Sequence, residues 1–504
     1  MRILLLEHPR TVCPDRCNDI ANTPLSSCLI SGYAGGMLRQ RGHEVEIIEG
    51  FLEGLSYEEI DRRIREFSPH ILGVHMVYHW RQDLALFAFL DRMKRSSLKP
   101  LIIAYGFYAT ISASDILKQC GSVDGVIIGE AELPFSALAA AGPEGFSHAS
   151  VPGVAVRNAS GGGITHIAQE PARDLDSIPF PLRTEALYRI GEVNILGSRG
   201  CYGRCTFCYV NRYYGQGVPW RGRSPENIAA EISDILRDRG AREFYFTDPN
   251  FFGPGRAGQE RAMRIAALLQ PLGITFGIEG RVNDIHDPAI GALVAAGLRH
   301  ILIGLESGRD ESLRRMNKMT TVAENERALR VLRRHGIEPN IGFIMFEPDS
   351  SLEDIRANFE FLKRNDLLNN LPVTANVLYH HQIVLEGTQA FVTLRQEGRL
   401  VTQDTRYEGS VRLKSREVSL LADIMREATN LLFLRMDGIW SGRLVEPPGM
   451  APRYAEINRV LVEVFERNLE ALEAGHVPDA GQVAEQTKSV GDEISRILQA
   501  SHTI

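Results

Sequence analysis

The chain of 504 residues is 44% hydrophobic and 24% charged, an ordinary globular composition, and is long enough for about three domains. Its net charge of −7 argues against a nucleic-acid-binding surface. No apolar run reaches the ~18 residues needed to span a bilayer, and the opening Met1-Arg-Ile-Leu-Leu-Leu is too short for a signal peptide, so a first strand and a cytoplasmic protein are expected.

From 1 to 142, short apolar runs alternate with amphipathic stretches. Strands are predicted at Ile3–Leu6, Glu44–Ile48, Ile71–His75, Leu101–Ala104 and Gly125–Ile128, with helices near 31–41, 56–67, 82–95, 112–119 and 131–141. Five βα units of this length predict a doubly wound, Rossmann-like parallel sheet, which binds ligands beyond the carboxyl ends of its strands. Residues 143–190, rich in Gly, Ser and Pro, read as a linker with one hairpin.

The alternation restarts at 191. Strands are predicted at 193–197, 243–247, 274–278, 300–304, 338–345 and 373–379, and helices near 225–238, 257–271, 287–296, 321–335 and 351–365. Six βα repeats over 191–390 predict a partial (β/α)6 barrel with its active site at the strand C-termini. Residues 391–504 carry helical spacing at 415–436 and 454–473 and no convincing strand, so a helical C-terminal domain is expected.

One loop carries the chemistry. Ser198-Arg-Gly-Cys201-Tyr-Gly-Arg-Cys205-Thr-Phe-Cys208 follows the apolar run Val193 to Leu196. Three thiolates this close can converge on one metal cluster. A 4Fe-4S cluster normally takes four protein thiolates, so three leave one iron open for a small ligand. Buried structural cysteines do not cluster on a Gly/Arg-rich loop. A zinc site would pair C-x2-C with a second ligand pair downstream, and no such pair follows.

The C-x3-C-x2-C spacing, with Phe207 before the last cysteine, resembles the signature of the radical S-adenosylmethionine (SAM) enzymes. The resemblance implies that Cys201, Cys205 and Cys208 hold a 4Fe-4S cluster. It also implies that SAM chelates the open iron and that a reductant such as flavodoxin or ferredoxin supplies the electron. Trp220-Arg-Gly-Arg-Ser-Pro-Glu226 and Phe246-Thr-Asp248 resemble segments of the cobalamin-binding, methyltransferase-type branch, as do Arg281 and Gly304-Leu-Glu306-Ser307. By that resemblance Phe207, Asp248, Arg281, Glu306 and Ser307 contact SAM. Arg281 suits its carboxylate because guanidinium and carboxylate match bidentately. Arg315-Met-Asn317-Lys318 matches a further family stretch.

The first domain is similar to the cobalamin-binding module of that branch. Tyr105-Gly106-Phe-Tyr-Ala-Thr110 stands where the family has a Gly-Gly-x-x-Ala-Thr-like turn, and Gly129-Glu130-Ala-Glu132 where it has Gly-Glu-Gly-Glu. This implies that Gly106, Thr110, Gly129 and Glu130 line a cobalamin site. Tyr105 and Ala131 replace expected glycines. Glu7-His8-Pro9-Arg10 stands where many cobalamin proteins have Asp-x-His-x-x-Gly, so no imidazole from that motif is expected on cobalt; His75 and His79 are the other candidates. Cys13, Cys17 and Cys28 read as loop cysteines, a second cluster being the alternative, and Cys120 as a packing residue.

The resemblance implies methyl transfer from methylcobalamin to an unactivated carbon or phosphorus of a small metabolite, in natural-product (antibiotic) biosynthesis, with phosphonates or phosphinates one acceptor class. A cobalamin-dependent radical SAM cyclase is the alternative; a methylthiotransferase or a non-catalytic cobalamin regulator would lie outside that pair. Tyr213-Tyr214 and Tyr379-His380-His381-Gln382 are candidate contacts to substrate or cobalamin.

Overall fold

The computed structural model describes residues 1–9, 29–76, 84–146, 151–158, 163–214, 219–402, 408–440 and 444–499. Cys13, Cys17, Cys28 and His79 lie outside the described residues. No helix among those described is long and apolar enough to cross a membrane.

Seven strands build the first sheet: β1 (Arg2–Glu7), β2 (Glu44–Glu49), β3 (Ile71–His75), β4 (Leu101–Tyr105), β5 (Gly125–Ile127), β6 (Val154–Arg157) and β7 (Ile164–His166). Their order is β2-β1-β3-β4-β5-β6-β7. The first five run parallel with helices on both faces, so the sequence of β1 is a continuous apolar run with no exposed residue from Ile3 to Leu6. The predicted linker hairpin is β6–β7, and it extends this sheet antiparallel.

The second sheet has the order β14-β13-β12-β11-β8, all parallel: β8 (Val193–Ile195), then after a short antiparallel ladder of β9 (Ser198–Gly200) and β10 (Trp220–Gly222), β11 (Glu243–Phe246), β12 (Thr275–Arg281), β13 (Leu298–Glu306) and β14 (Asn340–Phe343). The crossover helices are bounded as their sequences dictate. In Pro225–Arg239, Ser224 accepts a hydrogen bond from the Asn227 N–H, Pro225 opens the first turn and Gly240 closes the end in the left-handed conformation.

The expected sixth strand at 373–379 is instead a helix, Leu371–Tyr379. Asn370 caps it and Pro372 sits in its first turn; a short apolar run does not by itself tell strand from buried helix. Among the described residues, the barrel continues past β14 through a single parallel bridge between Phe346 and His381. Helices Arg416–Trp440, Met450–Glu473 and Ala480–Gln499 pack against this side, the last not anticipated. The C-terminal part is not wholly helical: Val384–Leu385, Leu400–Thr402 and Glu408–Val411 form a small antiparallel sheet.

Candidate active site at the barrel mouth

The β9–β10 ladder pairs Gly200 with Trp220 and so clamps the base of the cysteine loop. Within the loop almost every residue is tied down. The Gly203 N–H points at Cys201 Sγ (3.3 Å), and the Asn211 side chain donates to the Gly203 carbonyl (2.5 Å). Asn317 Nδ2 donates to the Arg204 carbonyl (2.8 Å), and the Thr206 N–H to the Met316 carbonyl (3.0 Å). The Thr206 carbonyl accepts the Ala390 N–H (2.9 Å). Cys201 is buried, Cys205 and Cys208 are half-buried, and Phe207 is half-buried between them.

Alternation along the strands brings other predicted residues to this loop. Arg281 ends β12 with Nη1 3.4 Å from Cys205 Sγ, and its Nη2 donates to the Lys318 carbonyl. Gly203 makes this approach possible: a Cβ there would stand 2.1 Å from Arg281 Nη1. Glu306, at the end of β13, pairs with Lys318 Nζ at 2.6 Å. Arg281 and Glu306 therefore do not pair with each other.

Two other predicted residues act at one remove. Asp248 is fully buried, and its Oδ1 accepts the Ser198 N–H at 2.6 Å, anchoring the strand that enters the cysteine loop. Burial pushes its carboxyl up to about 7 against the opposing pull of Arg261. Ser307 is also fully buried; its hydroxyl donates to Asn358 Oδ1 (2.7 Å) on helix Leu352–Arg364.

The edge of the first sheet meets the same loop. Gly129 N–H donates to Thr110 Oγ1 (2.9 Å), which donates to the Gly106 carbonyl (2.8 Å), so three predicted residues form one corner. Both glycines have positive φ, +107° at Gly106 and +82° at Gly129, and a Cβ on Gly129 would stand 3.1 Å from the Tyr213 carbonyl. Phe107 packs on Tyr209 and Tyr213, with ring centroids at 5.0 and 4.1 Å. A cavity of ≈ 150 Å³ opens beside this junction, lined by Gly129, Glu130, Glu132, Tyr213 and Tyr214 among others. Glu130 is paired with Arg199 at 2.5 Å and also with Arg221, while Arg199 holds Glu132 at 2.6 Å. The sequence reading missed these two arginines. Their signal was the pairing of two carboxylates in Gly129–Glu132 with arginines flanking the cysteines.

His75 is buried under Gly106, with Nδ1 2.7 Å from Glu7 and its ring stacked on Tyr105. His380 and His381 follow a helix and not a strand; the His381 ring packs on Phe346 and Tyr379. Burial lowers both imidazoles, His381 to about 3, so both are neutral at pH 7.

Residues 195–362 match the family model of the radical SAM superfamily, and residues 32–139 match that of the B12 binding domain. The chain is 26% identical over 379 residues to an uncharacterized methyltransferase of Pyrococcus horikoshii, covering 73% of this chain and 79% of that one. It is 27% identical over 359 residues to an anaerobic magnesium-protoporphyrin IX monomethyl ester cyclase of Synechocystis, covering 67% of each. Among solved structures, the cobalamin-dependent SAM radical enzyme OxsB with aqua-cobalamin and SAM bound superposes with a TM-score of 0.78, covering 99% of this chain and 80% of that one. At 19% identity that likeness is one of fold.

A half barrel carrying three thiols at its mouth, behind a Rossmann-like module, is the architecture of a radical SAM protein with a B12 binding domain. The chain joins a radical SAM domain to a B12 binding domain. Its cofactors are a 4Fe-4S cluster, SAM and cobalamin.

The donor set agrees with that cluster. Among the described residues, no three His, Cys, Asp or Glu side chains close around a single metal ion. A cubane instead offers one separated iron corner to each thiolate. Burial pushes the Cys208 thiol up to about 12, and neighbouring Cys205 and Cys201 push it further in the same direction. Three crowded sulfurs of this kind release their protons to a cationic metal group. The corner at Gly106 and Gly129 is buried, closed by His75 on one glycine and by the Tyr213 carbonyl on the other.

Proposed function

We propose that the protein is a cobalamin-dependent radical SAM methyltransferase, moving a methyl group from methylcobalamin to an unactivated carbon or phosphorus of a small metabolite in natural-product biosynthesis. The observation that carries this reading is the direct contact between the two cofactor modules: Gly129 and Phe107 of the first domain abut Tyr213, five residues after Cys208. When bound, the cluster and SAM supply a deoxyadenosyl radical and cobalamin supplies the methyl group.

The residues have distinct tasks in this reading. Cys201, Cys205 and Cys208 hold three irons, with Phe207 packed among them. Arg281 faces the SAM carboxylate, since its guanidinium already lies beside Cys205. Glu306 accepts from SAM hydroxyl or amino groups. Asp248 and Ser307 position the segments that carry the ligands. Gly106, Thr110 and Gly129 form the strand-end corner beside which cobalamin would sit, and Glu130 ties its module to the barrel through Arg199 and Arg221. A flavodoxin- or ferredoxin-type reductant supplies the electron.

The cyclase reading is kept because the Synechocystis relative bears that name. Anaerobic reconstitution with iron, sulfide and hydroxocobalamin, followed by mass spectrometry of metabolites incubated with SAM, separates the two. A methylase yields methylated product and S-adenosylhomocysteine; deoxyadenosine without S-adenosylhomocysteine favours the cyclase. Protein that binds no cluster, or a Cys201→Ala variant that cleaves SAM like wild type, overturns both.

A further inference from the structure

The segment Asn317-Lys318-Met319 is a strained elbow. Asn317 (φ +50°) and Met319 (φ +55°) both lie in the left-handed region, which methionine rarely adopts. Between them the Lys318 side chain turns inward and is only 5% exposed, while Met319 is 67% exposed. The Lys318 ammonium pairs with Glu306, itself a non-glycine residue at φ +64°. Such conformations are unfavourable and persist where surrounding contacts impose them.

The barrel is shaped around this pair. Gly304 lies directly beneath it: a Cβ there would stand 2.3 Å from Glu306 Oε1 and 2.6 Å from Lys318 Nζ. The Lys318 carbonyl accepts from Arg281, whose other guanidinium nitrogen reaches Cys205. The elbow also grips the cysteine loop directly, through Asn317 Nδ2 on the Arg204 carbonyl and the Met316 carbonyl on the Thr206 N–H. Two buried cations, Arg281 and Lys318, thus stand at the elbow that braces the cysteine loop, and only Arg281 is assigned a ligand above.

We propose that Lys318 is a positioning residue of the cluster and SAM site: its ammonium fixes the Glu306 carboxylate and, with Arg281, sets the electrostatic potential at the three thiolates. This rests on the cluster assignment made above. Adding an electron to a cluster held by three thiolates increases its negative charge, so a nearby buried cation favours reduction. The ion pair fixes the position of the Glu306 carboxylate at the end of β13. The elbow spends backbone strain to bring a lysine where ordinary geometry would leave it in solvent.

The test uses full-length, anaerobically reconstituted holoprotein with Lys318→Met and Lys318→Arg. Iron content, the cluster midpoint potential by EPR-monitored titration, and SAM affinity are measured. Lys318→Met is expected to load iron as wild type does, to show a more negative midpoint potential, and to bind SAM about tenfold more weakly or worse, the scale of one lost charged hydrogen bond. Lys318→Arg keeps the charge and restores the potential. Wild-type potential and affinity in Lys318→Met overturn the proposal. Should Lys318→Met fail to fold because Glu306 is left buried and unpaired, Glu306→Gln is compared with the double variant Glu306→Gln/Lys318→Met. The double variant must have the lower potential, and equal potentials overturn the proposal. A wild-type protein that takes up no cluster would sink the assigned function itself, whereas a loaded wild type with an indifferent Lys318 sinks this inference alone.

Discussion

Arg199, two residues before Cys201, is ion-paired with Glu132 of the first domain at 2.6 Å, and both side chains are only 5% exposed. The same guanidinium reaches Glu130 at 2.5 Å. The strand that enters the cysteine loop is therefore bolted to the B12 binding domain by one buried side chain.

Arg199→Ala takes the arginine from buried Glu132, while Glu130 keeps Arg221. Removing one partner of a buried pair costs about 3–5 kcal/mol. The expected result is a large drop in the denaturant midpoint together with poorer iron uptake on reconstitution. Arg199→Lys keeps the charge but loses the two-pronged geometry, and should fall between wild type and alanine.

Gly203→Ala tests the path of Arg281. The new methyl would stand 2.1 Å from Nη1, so the guanidinium must move off Cys205. SAM affinity should fall by about tenfold or more, as expected when a charge-assisted contact is displaced. The control is Gly191→Ala, where no atom lies within 4 Å of the new Cβ and no change is expected. Isothermal titration with SAM under anaerobic conditions reads both.

Asp248 gives stability a pH dependence. Its carboxyl sits at about 7 when folded, mainly through burial, against 3.8 in the reference state. Between these values the folded protein binds a proton that the unfolded chain does not. Its contribution is therefore fully present below about 3.8 and is lost as pH rises through about 7. Asp248→Asn preserves the acceptor for Ser198 N–H and should flatten this part of the profile. Unfolding free energies of wild type and variant at pH 5.5 and pH 8.5 check the sign: the wild-type advantage must be smaller at the higher pH.

Asn358→Leu tests the support behind Glu306. Asn358 Oδ1 accepts both the Ser307 hydroxyl and the Gly308 N–H at 2.7 Å, all three being buried. Leucine orphans both donors, and each buried orphan costs about 1–3 kcal/mol. Stability should drop accordingly, and SAM affinity should weaken because the turn that follows Glu306 is loosened.

The sequence exposed the thiol trio and most of both sheets because these depend on local pattern: C-x3-C-x2-C, and apolar runs separated by capped helices. Helix Asp287–Ala296 falls where its spacing predicted. The errors have physical causes. The run at 373–379 is apolar in either a strand or a buried helix, and Asn370-Leu-Pro372 decided for the helix. Asp248 and Ser307 matched family positions, yet strand ends present side chains both to the barrel mouth and to the supporting layer, and residue type does not reveal which. The partnership of Arg199 with Glu132 spans 67 residues of chain, beyond any local pattern.

The bond from the Ala390 N–H to the Thr206 carbonyl bears on how this molecule can be divided. The matched superfamily segment ends at 362, yet the turn between the second and third cysteines leans on a residue 28 positions beyond that limit. A fragment trimmed to the recognised boundary would retain every thiol and lose the backbone brace that spaces two of them. The smallest unit able to assemble its metal centre is therefore longer than the motif-bearing domain, and it reaches into the C-terminal portion usually treated as an accessory.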